Sequence, residues 1–247
     1  MGKAGLQGCC TARFFLFFAP MKITEKRSIL KLLRQKDLAT ILDFLATIPA
    51  IQTINPLFSG ICHADERVRW HAIAAMGPSL ARLADQDMEG ARVVMRRFMW
   101  SLNDESGGIG WGAPEAMAEA MVQHSRLAEE YCHILVAFMR EDGFFLEHPP
   151  LQRGLMWAIA RLAEHRRELL LEKEADTYLL PYLLEKDEEV KTLAAYALAT
   201  LSSEKACRQL HVIQDLPPSV AVYSPEKDKQ VTIDLEVLIK QRCTPQP

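Results

Sequence analysis

The strongest constraint on this chain is an internal repeat of about forty residues. The segment Asp65-Glu66-Arg67-Val68-x-x-x-Ala72-x-x-Ala75-Met76 is matched by Asp187-Glu188-Glu189-Val190-x-x-x-Ala194-x-x-Ala197-Leu198. Leu151-x-x-x-Leu155-x-x-Ala158-Ile159 is a third copy. Ile109-x-x-x-Ala113-x-x-Ala116-Met117, which follows Asp104 and Glu105, is a fourth. The anchors Val68, Ile109, Leu151 and Val190 stand 41, 42 and 39 residues apart. Small and apolar residues at i, i+4, i+7 and i+8 make one face of a helix. Acidic residues just before a copy suit the N-cap and the positive end of the helix dipole. Further apolar helical stretches lie between the copies, at 51–61, 90–102, 127–139 and 175–184. Each unit is therefore an outer helix followed by an inner one, with an incomplete pair over roughly 24–47. Pro49, Pro56, Pro149 and Pro150 fall where this scheme puts turns or helix starts, and Pro181 interrupts a stretch.

Helix pairs recurring at this period predict an all-α protein, an armadillo-like α-solenoid of about five pairs. The pattern Asp-x-x-Val-[Arg/Lys]-x-x-Ala-x-x-Ala-[Leu/Met] resembles HEAT repeats, and especially the HEAT-like repeats named after phycobilisome lyases. Val68-Arg69-x-x-Ala72 and Val190-Lys191-x-x-Ala194 carry the resemblance best, and it covers about residues 50–203. The whole chain is also similar to small bacterial HEAT-repeat proteins. The resemblance implies the fold and is nearly silent on function.

The solenoid is expected over 21–215, with an appendage over 216–247. Pro217-Pro218 ends the helical pattern. Ser219 to Tyr223 and Val231 to Val237 alternate like strands about a charged turn, which predicts a hairpin on the last helices. A short helix over 233–241 fits nearly as well. Leu6-Gln7-Gly8-Cys9 resembles a lipoprotein cleavage box but has no apolar stretch before it. Residues 1–20 are therefore expected to be a non-functional leader, with translation starting at Met21 and a cytoplasmic location.

Composition narrows function by exclusion. A formal net charge of −3 argues against a dedicated nucleic-acid binder. No apolar run reaches the roughly 18 residues of a membrane helix. The six cysteines form no C-x-x-C and are too sparse for a disulfide framework, which predicts reduced thiols. Seven histidines fall at no metal-ligand spacing, so no metal and no cofactor are expected. No Gly-x-Ser-x-Gly elbow occurs.

The repeat is broken at one place. Between Trp100 and Pro114, four glycines fall within six residues, at 107, 108, 110 and 112. Glycine lets a ligand approach the main chain, and a helix N-terminus beside it exposes N–H groups. A tight turn that seats Trp100 and Trp111 in the core explains the cluster equally well. Aligned copies also place Trp70, Trp111, Arg153 and Thr192 in one row, with His71 and Gly112 in the next. A row on the concave wall is where solenoids bind, and Trp and Arg dominate interface energetics. Candidate partner-binding residues are therefore Trp70, His71, Asp104, Glu105, Gly108, Gly110, Trp111, Gly112 and Arg153, and no catalytic residue is assigned. The expected function is a non-catalytic scaffold or adaptor holding a protein partner. The alternative is an enzyme on the same scaffold, glycosylase-like on a DNA base or lyase-like on a bilin. A pocket at the glycine-rich loop with a carboxylate inside would favour the enzyme. An open groove with exposed aromatics would favour the adaptor.

Overall fold

A computed structural model describes residues 26–103 and 110–243. The expectations for the 1–20 leader and for Asp104, Glu105 and Gly108 lie outside the described residues. The helices are α1 (Lys26–Gln35), α2 (Leu38–Ala46), α3 (Ala50–Ile61), α4 (Glu66–Gln86), α5 (Met88–Leu102), α6 (Ala113–Gln123), α7 (Ser125–Ala137), α8 (Pro149–Glu172), α9 (Ala175–Leu179), α10 (Glu188–Leu201) and α11 (Glu204–Val212). The chain is an all-α solenoid of consecutive helix pairs. The repeat anchors Val68, Leu151 and Val190 lie on α4, α8 and α10, and the broken copy supplies α6.

Local chemistry starts these helices where the pattern says. The Asp65 side chain accepts from the backbone N–H groups of Arg67 and Val68, and Asp187 accepts from Val190. Gly112 caps α6 in the left-handed conformation, and Pro114 sits in the first turn, where its missing N–H costs nothing. Pro181 turns the end of α9 into a 3-10 turn over Leu180–Leu184. Pro56 departs from expectation, because it lies inside α3 and is buried rather than at a turn. A proline removes one helical hydrogen bond, and burial of its helix face offsets that loss.

The inner helices α4, α6, α8 and α10 pack side by side, and small residues let them come close. Ala72, Ala75, Ala116, Ala158, Ala194 and Ala197 are all fully buried. A Cβ on Gly77 of α4 would lie 2.7 Å from the Glu119 carbonyl oxygen of α6. No helix among the described residues is long and apolar enough to cross a membrane.

Both readings of the appendage are realised in succession. Strands β1 (Ser219–Ser224) and β2 (Lys229–Asp234) pair antiparallel with Val222 opposite Val231, and α12 (Leu235–Cys243) follows. The hairpin is not confined to the last helices, however. β1 and α12 pack on α10, while the hairpin turn reaches the N-terminal pair, where the Leu38 N–H donates to Asp228 at 2.9 Å. The reason is polar: the charged turn finds a counterion in Arg161 of α8 and hydrogen-bond partners in Leu38 of α2 and His71 of α4. A second correction concerns the thiols. Cys207 and Cys243 form a disulfide that ties α12 to α11. A separation of 36 residues in a cysteine-poor chain gives no sequence sign of that pairing.

Two outcomes follow from this packing. Gly77→Ala should lower stability by about 1–3 kcal/mol in denaturant unfolding, because the added methyl meets backbone. The same change in an open helix would instead raise stability. Cys243→Ser should cost about 2–4 kcal/mol, the loop-closure value for a bridge of this span, and reduction of the wild type should reproduce the loss.

Candidate functional site

The face presented by the inner helices is partly covered by the protein's own hairpin. Asp228, in the turn, accepts from the Leu38 N–H, from the Tyr223 hydroxyl at 2.8 Å, and lies 2.7 Å from His71 Nε2. The other His71 nitrogen lies 2.6 Å from the Leu33 carbonyl oxygen. Burial alone would raise the Asp228 carboxyl, but the Leu38 N–H, the Tyr223 hydroxyl and His71 together hold it below its ordinary range. Further along, Arg161 of α8 bridges Glu119 of α6 and Glu226 of the turn, each at 2.6 Å. Burial pushes the Glu119 carboxyl up, and Arg161 draws it back only in part. Trp157 Nε1 donates to the Tyr223 carbonyl oxygen at 3.2 Å, and Trp70 stacks on the Tyr223 ring at 4.8 Å.

Beside the hairpin, the same face holds a cavity of about 300 Å³. Trp70, Trp111, Trp157 and Tyr223 line it together with Glu115 of α6. This volume is at the lower end of small-molecule pockets, which run ~300–1,000 Å³. Glu115 is only 9% exposed, and its Oε2 has no hydrogen-bond partner among the described residues. Its carboxyl fits because residue 154 is glycine: a Cβ there would lie 2.7 Å from the carboxyl atoms. Burial pushes the Glu115 carboxyl up to about 7, and the charge of Arg69 is too weak to reverse this. Perturbed acids of this kind cluster at functional sites.

The structure separates the residues singled out in the sequence. Trp70 and Trp111 do come together, at one cavity, with Arg153 at its edge. Arg153 is held by Asp187 at 2.6 Å and Glu189 at 2.8 Å. His71 is 2% exposed, and both its nitrogens are engaged inside the molecule. The expected open strip at Trp70 and His71 is thus covered by β1 and the turn. Gly110 and Gly112 are buried, and their freedom is used by the protein's own backbone. Gly112 has φ of 77°, and a Cβ on it would meet the Ile61 carbonyl oxygen at 2.5 Å; a Cβ on Gly110 would meet that of Ser101 at 2.9 Å. The loop does not sink its tryptophans into the core: Trp100 is 75% exposed and Trp111 42%. Glu115 was not among the expected site residues. The signal was there, since the aligned positions in the other copies are Ala74, Trp157 and Tyr196, all buried.

Similar solved structures include designed armadillo repeat proteins. A designed armadillo repeat protein in complex with the peptide (KR)4 is 21% identical, with 76% of this chain and 87% of that one aligned at a TM-score of 0.44. Another designed armadillo repeat protein is 22% identical over the same shares, at a TM-score of 0.43. An engineered protein is 17% identical over 75% of this chain and 83% of that one, at 0.41. No protein-family model and no curated protein matches the chain.

Two measurements probe the site's energetics. Asp228→Ala strands the Leu38 N–H and the Tyr223 hydroxyl, removes the partner of His71 Nε2, and should lower stability by about 3 kcal/mol in urea unfolding, with faster proteolysis at the hairpin turn. For Glu115 the sign runs the other way. Its folded pKa lies above the ordinary 4.5, so wild-type stability should fall as pH rises from about 4.5 through about 7. Glu115→Gln should remove that fall and be more stable above pH 7, by up to about 3 kcal/mol.

Proposed function

We propose that the protein is a non-catalytic binding scaffold of the HEAT-like kind, and that a protein partner engages the cavity beside the hairpin. Trp111 is the anchor at its mouth, with Arg153 at the rim. The observation that carries this reading is the pairing of a half-exposed tryptophan with an aromatic-walled cavity on the inner helices. Tryptophan and arginine around a desolvated pocket are the usual makings of an interface hot spot. The kinship with phycobilisome-lyase-type repeats belongs to the same proposal and rests on the Val68 and Val190 motifs.

A second reading, an enzyme acting in that cavity, is favoured by one observation. Glu115 sits inside it with a carboxyl raised to about 7, a range suited to general acid–base work. Duplex nucleic acid is disfavoured as its substrate. The inner-face arginines face carboxylates rather than phosphates: Arg153 meets Asp187, Arg161 meets Glu119, and Arg69 lies 4.0 Å from Glu66. A cytoplasmic location is also part of the proposal.

Affinity capture from native extract, comparing wild type with Trp111→Ala, tests the scaffold reading. One stoichiometric protein should be retained by wild type and lost at least about tenfold by the variant, the loss expected for a hot-spot tryptophan. Equal capture by both would remove the site assignment. Co-purification of only nucleic acid or a pigment would favour the enzyme.

A further inference from the structure

We propose that the cavity receives a methylated or quaternary ammonium group, held against its aromatic wall and drawn by the charge of Glu115. This rests on reading the cavity as the binding site, and adds the chemistry of what enters it. The faces of aromatic rings attract cations, and boxes of such rings are how proteins hold fully substituted ammonium groups. Three indoles and a phenol line this cavity: Trp70 packs on Tyr223 at 4.8 Å and on Trp157 at 5.0 Å as one aromatic wall, and Trp111 stands half-exposed beside it.

The charges lining the cavity select the sign of the guest. Glu66 and Arg69 come from α4, Glu115 from α6, Arg153 from α8 and Glu189 from α10. Arg153 is consumed by Asp187 and Glu189. Glu66 Oε1 accepts from Trp70 Nε1 at 3.3 Å and from Gln230 Nε2 at 3.0 Å, and faces Arg69. Glu115 keeps a fully buried oxygen, Oε2, that nothing among the described residues satisfies. A buried carboxylate in that condition repels an anion and welcomes a cation.

The number of acceptors selects the kind of cation. A primary ammonium brings three N–H groups, each of which needs an acceptor when buried. Of the remaining walls, Pro150, Leu193, Ala221 and Val222 offer apolar side chains, and Gln230 is tied to Glu66. Methyl groups on the nitrogen remove the unmet donors and pack against the rings instead. Two sources share this chemistry: a free quaternary ammonium compound, and a methylated lysine side chain on a protein.

The test is calorimetric titration of the full chain at pH 8 with three probes. They are choline, the acetylated amide of trimethyllysine, and 3,3-dimethylbutan-1-ol, the uncharged analogue of choline. At least one cation should bind about tenfold or more tighter than the alcohol, and the tighter of the two identifies the source. Glu115→Gln should bring cation and alcohol to within about twofold. Trp111→Phe should keep binding and Trp111→Ala should lose it, with thermal melts verifying that each variant folds. Cation affinity should drop about tenfold between pH 8 and pH 6, as Glu115 takes up a proton. If the alcohol binds as tightly as the cations, or Glu115→Gln keeps full discrimination, the inference is overturned. Failure of all three probes to bind overturns it too. Capture of a partner through Trp111 would in that case still stand, since that experiment does not depend on a cation.

Discussion

Everything distinctive in this molecule depends on how near its inner helices can approach one another. Alanines and Gly77 bring α4 against α6 at backbone distance, and Gly154 opens α8 to the carboxyl of Glu115. Larger residues at these points would push the helices apart and remove the walls of the cavity. The same small side chains that stabilise the stack therefore also determine that an acid can be held at its centre. The fold and the site share one packing solution.

The hairpin completes that solution from the other side. Inner helices alone would leave a shallow face, with Trp70 and Trp157 open to water. β1 lays Tyr223 on Trp70 and takes a hydrogen bond from Trp157, which converts a surface into a wall. Polar anchors in its turn fix its position: Asp228 against Leu38 and His71, and Glu226 against Arg161. An aromatic contact alone is permissive in orientation, whereas these pairs are directional. The result is a cavity whose lining comes from four helices, both strands and the residues Trp111 and Gly112.

How much of this was legible in the sequence divides along physical lines. Periodicity is a local property, so the helix pairs, the Asp65 and Asp187 caps and the start of α6 could be read directly. The row containing Trp70 and Trp111 could be read by aligning copies, because stacked repeats place equivalent residues side by side. Alternation announced the strands of the hairpin. It could not say which surface they would cover, since that choice rests on partners more than a hundred positions away, such as His71 for Asp228. The glycines near Trp111 suggested room for a ligand, whereas the space at Gly112 is taken by the Ile61 carbonyl. Glu115 was overlooked in favour of its neighbours Asp104 and Glu105. Asp104 and Glu105 stand where the repeat begins, whereas Glu115 interrupts its buried face.

An ordinary solenoid is open at both ends. Each repeat touches only its neighbours, and the array can fray from either terminus. Here the hydrogen bond from Leu38 to Asp228 joins positions 190 residues apart, and the hairpin strap spans the repeats between them. The strap turns a linear stack into a closed ring of contacts. Its length then limits how many repeats fit beneath it, so a pair could not be gained or lost without rebuilding the hairpin. Loosening at one end would be felt at the other. A chain assembled from near-identical units thus acquires a fixed size and the behaviour of a single cooperative body.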